Sequence, residues 1–228
     1  MPLIKAPIAL SIILGFLSGY IDTAVFLHMQ GLFVAHVTGN VVLLGAMLAG
    51  SGEEGMNPGS AALHLISFPV FFFSASFAAI IAEKAGGRQT VTLLGIATLI
   101  FAIVSAAALM GSRLDALLAT LLVVAMGVLN AAHRLEAVTG PPFTMMTGNV
   151  TGVAIHIVHS CGLGPPGQAT PAGWSERSIA LLVCAFVAGC AFGAFMQTLL
   201  GLGAMIVPAM LLLTACLVNS KDAARSPA

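Results

Sequence analysis

Six stretches of this chain are nearly unbroken runs of apolar residues, at 6–27, 61–83, 90–111, 115–133, 177–200 and 203–219. Each approaches the roughly 20 residues that a helix needs to cross a bilayer's hydrocarbon. Two shorter apolar stretches, 38–50 and 147–160, stand between them. At about 1.5 Å per residue these reach only about 20 Å, short of the roughly 30 Å core. The pattern predicts six spanning helices and two half-helices.

The few polar residues fall at repeated places. Both short stretches open with Thr-Gly-Asn, at Thr38-Gly39-Asn40 and Thr147-Gly148-Asn149, 109 residues apart. Gly19-Tyr-Ile-Asp22 stands 19 residues before the first copy and Gly127-Val-Leu-Asn130 stands 20 before the second. Gly31 pairs with Gly140, and Ala75-x-x-x-Ala79 pairs with Gly189-x-x-x-Gly193, a small-residue spacing that lets helices approach closely. One membrane domain over 1–228 is expected, with repeat 1 at about 6–111 and repeat 2 at about 115–219. Three spans per half invert the second half relative to the first. Such inverted repeats with broken helices mark transporters and channels.

Charge positions choose between crossing and re-entry. If all eight segments cross from an inner N-terminus, five basic residues lie inside and three outside. If both short segments re-enter, Lys5, Lys84, Arg88, Arg134, Arg177, Lys221 and Arg225 lie inside and Arg113 alone lies outside. The second arrangement is the one the positive-inside rule expects. The first half-helix then enters from outside and the second from inside, with their polar starts facing each other near the midplane. The stretches 51–60 and 161–176, rich in breakers, read as loops.

Composition excludes a soluble domain: 59% of residues are hydrophobic and only 7% charged, with a mean hydropathy of +1.06. Eight basic residues without a cluster argue against nucleic acid. Lys5 and the apolar run after it imitate a signal peptide, but the run continues to about Leu27 and a retained first helix is expected. The four cysteines show no CxxC spacing and read as small buried residues.

The candidate chemistry sits at the Thr-Gly-Asn starts. Thr38 and Thr147 are expected to cap the half-helices, Gly39 and Gly148 to admit a ligand, and Asn40 and Asn149 to present amides to it. A helix start carries about half a positive charge, so two of them facing each other suit a polar or anionic solute. Asp22 is the carboxylate deep within a span and is expected to set selectivity or carry a coupled proton, with the non-ionising Asn130 as its repeat partner. His28 and His36 flank the first short segment, while His156 and His159 share a face of the second. No residue is spaced to complete a metal shell, so no metal and no cofactor is expected. Gly15-Phe-Leu-Ser18-Gly19 lacks the Gly-x-Ser-Gly spacing of an intramembrane protease.

At Gly19-Tyr-Ile-Asp22, Phe33-Val-Ala-His-Val-Thr-Gly-Asn40 and Ala125-Met-Gly-Val-Leu-Asn130 the chain resembles the YoaK-like family of uncharacterised bacterial membrane proteins. The resemblance implies a multi-pass protein of the bacterial plasma membrane; charge positions put both termini in the cytoplasm. In that family a Gln often precedes the second-repeat Asn; Leu129 takes that place here. The arrangement is similar in architecture alone to water channels and formate-type channels. The expected function is passage of a small polar or anionic solute between the two Thr-Gly-Asn starts. The alternatives are an intramembrane enzyme acting on lipid or peptide through Ser18, Asp22 or the histidines, and a non-transporting assembly or sensor subunit. Expected partners are membrane lipid, the unidentified solute and, as an open alternative, further copies of the chain.

Overall fold

A computed structural model describes residues 6–49, 58–136, 140–163 and 174–225. Most of the loops expected at 51–60 and 161–176 lies outside these residues, as does Lys5. All regular secondary structure among the described residues is helical. Eight α-helices follow in order: α1 (Ala6–His28), α2 (Val37–Leu48), α3 (Pro58–Ala85), α4 (Gln89–Leu109), α5 (Asp115–Leu135), α6 (Met146–Ser160), α7 (Glu176–Leu200) and α8 (Ile206–Arg225). The two short helices α2 and α6 start within one residue of the expected positions.

Among the described residues, four continuous stretches are long and apolar enough to cross a membrane: Ile8–His28, Ala61–Leu109, Asp115–Leu135 and Glu176–Ser220. The chain is a helical membrane protein. The second stretch contains α3 and α4, joined by a tight turn at Gly86–Arg88 where Gly86 has φ 53°. The fourth contains α7 and α8, joined at Gly201–Met205 where Gly201 has φ 54°. A left-handed glycine in each junction permits the reversal that a residue with a Cβ resists.

Contacts sort the long helices by their ends. At one end, His28 Nε2 of α1 lies 3.5 Å from Asp115 Oδ1, where α5 begins. Gln197 near the end of α7 approaches the same His28 ring at 3.5 Å. Ser105, near the end of α4, donates to Gly203 O in the α7–α8 junction at 2.8 Å. At the opposite end, Ser11 of α1 meets His133 of α5 at 3.0 Å. There Gln89 of α4 donates to Leu135 O, Thr90 bonds Glu136, and Cys216 of α8 reaches Val91 O.

Close packing between helices rests on glycine. Gly15 and Gly19 of α1 face Leu182 and Phe186 of α7, and Gly189 and Gly193 of α7 face Phe16 and Tyr20 of α1. A Cβ on Gly189 or Gly193 would strike the carbonyl oxygen of Phe16 or Tyr20, and a Cβ on Gly19 would strike Phe186 O. Lipid supplies no hydrophobic drive between helices, so this backbone-to-backbone contact carries the packing. The α3–α5 pair is built the same way, with Gly127 against Phe71 O and Ser74. On α3, however, the buried stripe is Ser74, Ala78 and Ala82, and the Ala79 expected at a helix contact is exposed. The spacing was legible, but the face turned one residue away from it. Two cysteines also depart from expectation: Cys161 and Cys184 are exposed, while Cys190 and Cys216 are half-buried. In lipid an exposed thiol on an apolar helix face has no desolvation cost to avoid.

Candidate functional site

The site begins with the way α1 ends. Gln30 (φ 54°) and Gly31 (φ 120°) take left-handed conformations, and the Gly31 N–H donates to Phe26 O at 2.9 Å. This helix-closing bond reverses the chain. Residues 32–36 then run back along α1 until they meet Asp22.

Asp22 is 4% exposed and receives four N–H groups. Its Oδ1 accepts from Val34 N at 2.7 Å and Ala35 N at 2.6 Å; its Oδ2 accepts from His36 N at 3.1 Å and meets His36 Nδ1 at 2.6 Å. Four converging donors suit an acceptor-only carboxylate and make a buried charge tolerable in an apolar bundle. The Nδ1 then carries its hydrogen toward Asp22, so in the neutral ring Nε2 is the lone-pair nitrogen. That Nε2 is buried and has no hydrogen-bond partner.

The Thr-Gly-Asn residues take different places from one another. Asn40 is fully buried; its Oδ1 accepts from Phe33 N at 2.9 Å, and its Nδ2 donates to Phe33 O at 2.7 Å and Ser67 Oγ at 2.8 Å. Asn149, seven residues after Pro142, donates to Pro142 O at 2.8 Å. Proline has no N–H, so the reciprocal bond of the first copy has no counterpart. Both amides thus clamp the loop that leads into their own helix. The N-cap residues are His36 and Met145, and neither side chain bonds its helix's first turn. Thr38 and Thr147 are exposed and lie inside the first turn, two residues beyond the N-cap. Gly39 lies under the Phe33 ring, where a Cβ would crowd Cδ2 at 2.9 Å, whereas Gly148 faces open space. Asn130 Oδ1 accepts from Thr144 at 3.1 Å. The pairs Asp22–His36 and Asn130–Thr144 share a 14-residue spacing, but only the first can ionise.

Both entry loops meet at α1. Ser18 approaches Phe143 O of the second loop at 3.5 Å, and one turn further Asp22 holds the first loop. Beside this junction lies a cavity of about 370 Å³. From α1 it is lined by Asp22, Thr23, Phe26 and Leu27, and from the first loop by Phe33 and His36. The start of α6 contributes Met146, and α7 contributes Phe186 and Cys190. The His36 ring stands edge-on to Phe186, with centroids 5.6 Å apart. Ser18 turns its hydroxyl to Gly15 O at 2.9 Å and is not among the lining residues.

A family model described as "Protein of unknown function (DUF1275)" matches residues 10–218. The chain belongs to this family. No curated protein and no solved structure matches it. The matched span contains both loops, every lining residue of the cavity and both Thr-Gly-Asn motifs.

His36, which the sequence marked only as flanking the first short segment, is the residue that the fold brings to Asp22. Its 14-residue distance from Asp22 was visible, but the pairing needs the chain reversal at Gln30–Gly31. Among the described residues no group of three His, Cys, Asp or Glu is placed to hold a metal ion. His156 instead meets Glu176 of α7 at 2.6 Å and Ser160 at 3.2 Å.

Proposed function

We propose that this protein is a membrane transporter for a small solute, built from two inverted halves with its binding site in the cavity beside Asp22 and His36. In this reading the six long helices cross one bilayer, and the end-to-end contacts of α1, α4, α5, α7 and α8 support it. The short helices re-enter. Leu43 of α2 lies against Gly31 near the end of α1, which supports a return of α2 to the end where His28 sits. His156 of α6 meets Glu176 at the start of α7, which supports a return of α6 to the opposite end. The matched pairs α1–α7 and α5–α3 agree with an exchange of the two halves.

The observation that carries the proposal is the convergence of both loops on neighbouring turns of α1, next to a cavity lined by Asp22 and His36. Half-helix starts meeting at a solute site are a transporter device. Asn40, Asn149 and Asn130 serve the site by fixing the loops, and Gly39 by seating Phe33. Thr38, Thr147 and Gly148 border the helix starts. Asp22 orients His36 through the contact with its Nδ1. The bacterial plasma membrane with cytoplasmic termini is the setting we assign.

The test is solute entry into liposomes that contain the purified protein and an enclosed pH-sensitive dye. Swelling and internal pH are followed for a panel of polyols, amides and mono- and dicarboxylates. At least one solute enters faster than into protein-free liposomes, and His36→Gln slows that entry. Protein-free rates for the whole panel would overturn the transport assignment.

A further inference from the structure

We propose that Ser160, His156 and Glu176 form a serine nucleophile site for acyl esters presented at the membrane surface, an activity separate from the transport reading above. Ser160 ends α6, His156 stands one turn before it, and Glu176 is the first residue of α7. The Glu176 carboxylate meets His156 Nδ1 at 2.6 Å. The Ser160 hydroxyl lies 3.2 Å from Nε2 of the same ring. A carboxylate on Nδ1 keeps the hydrogen there and leaves the lone pair on Nε2 in the neutral ring. Nε2 is then an acceptor aimed at a hydroxyl, which is the order of nucleophile, base and orienting group on which serine acyl transfer is built. Ser11 and His133 are the contrast: they also meet, at 3.0 Å, but both are buried and no carboxylate pairs with His133 among the described residues.

The three residues are open to approach. Ser160 and Glu176 are exposed and His156 is partly so. None of them lines the cavity beside Asp22. Ile157, Val158 and Leu163 next to Ser160 are apolar and exposed. Trp174, the chain's one tryptophan, stands two residues before Glu176, and tryptophan gathers where hydrocarbon meets water. Glu176 and Arg177 begin a long apolar helix. A charged helix start, apolar neighbours and a tryptophan put the site at that boundary, where an amphiphile carries its ester carbonyl. The exposed apolar side chains take the acyl chain, and the hydroxyl meets the carbonyl.

The chemistry needs water as the sole co-reactant. Ser160 Oγ attacks the carbonyl carbon while its proton passes to His156 Nε2. The C–O bond to the alcohol breaks, the departing oxygen takes that proton, and the acyl group stays on Ser160. Water then attacks the acyl carbon, gives a proton to His156 and displaces Ser160 Oγ, which takes the proton back. One ester and one water become one acid and one alcohol. Glu176 and the negative C-terminal end of α6 both stabilise the imidazolium that forms in each half of the cycle. Glu176 also brings the start of α7 to the site, where the first N–H groups have no acceptor inside the helix and favour an oxyanion.

The test uses the full-length protein, in detergent and in phosphatidylglycerol vesicles. A fluorophosphonate forms an adduct on Ser160 of the parent, located by mass spectrometry of its peptides. Ser160→Ala abolishes that adduct, and His156→Gln slows its formation about a hundredfold, the size of one general base. Ser76→Ala, on the exposed side of α3, leaves the adduct unchanged. The kcat/KM for p-nitrophenyl octanoate exceeds that for p-nitrophenyl acetate, because the exposed apolar residues hold the chain. Glu176→Gln lowers kcat and leaves KM in place, since Glu176 is a positioning residue that acts through His156 and does not touch the ester. Fatty acid released from the vesicles identifies the ester as the bilayer's own lipid; hydrolysis of the octanoate ester alone identifies a soluble amphiphile.

A parent protein without an adduct on Ser160, or a Ser160→Ala protein that hydrolyses at the parent rate, overturns the site. The first of these is read on the parent and decides the matter even if a variant fails to fold. Equal kcat/KM for the two esters overturns the membrane-surface substrate. An adduct on Ser160 in a protein that moves no solute leaves this site standing and removes the transport reading. Solute flux with Ser160 unlabelled does the reverse.

Discussion

Truncating Asp22 to alanine removes the acceptor for the N–H groups of Val34, Ala35 and His36 and the partner of His36 Nδ1. Val34 and Ala35 are buried, at 0% and 4% exposure, so water does not readily replace the carboxylate. Leaving a buried donor unsatisfied costs about 1–3 kcal/mol, so three backbone donors together are worth about 3–9 kcal/mol. Asp22→Asn is milder. Its one carbonyl oxygen still accepts from Val34 and Ala35, and His36 can change tautomer to accept from the new amide. The His36 backbone N–H alone is stranded, at about 1–3 kcal/mol. Asn130→Ala is the internal control, since it removes the single acceptor that Asn130 offers to Thr144, worth about 1 kcal/mol. The assay is thermal unfolding in detergent, followed by helical circular dichroism and by labelling of newly exposed cysteines. The expected order of loss is Asp22→Ala, then Asp22→Asn, then Asn130→Ala. An Asp22→Ala protein as stable as the parent would refute the reasoning, because it would mean the loop does not depend on that carboxylate.

Two further outcomes follow from packing and charge. Gly189→Ala pushes a methyl into the backbone of α1 at Phe16 and lowers stability by about 1–3 kcal/mol, whereas Gly95→Ala meets open space within α4 and raises it by about 0.5–1 kcal/mol; unfolding midpoints of the two variants that move together would contradict the glycine contact. In a background without native cysteines, Arg113→Cys reacts with an impermeant maleimide from the outer side of spheroplasts and Arg177→Cys reacts only after lysis; labelling of both from the same side overturns the proposed topology.

The helices were legible because bilayer hydrocarbon imposes a length that a sequence either meets or misses. The stretch 38–50 misses it and becomes α2; the stretch 115–133 meets it and becomes α5. The Thr-Gly-Asn motifs marked the right places, yet not the division of labour within them. A side chain such as Asn40 has four hydrogen-bonding positions, and sequence does not say whether a ligand or its own loop fills them. Here Phe33 and Ser67 do.

The amino-acid order by itself determined that this is a helical membrane protein, that its polar residues come in duplicated positions, and that of Asp22 and its repeat partner Asn130 only the first can ionise. Those properties are local or additive: run length, residue type and spacing. Which partner each polar group takes was decided by the fold. Asp22 meets His36 because Gln30 and Gly31 reverse the chain, and Ser18 meets Phe143 across 125 residues because glycine contacts draw α1 and α7 together. A hydrogen bond depends on distances of a few tenths of an ångström between segments remote in the chain, and only the packed bundle sets those distances.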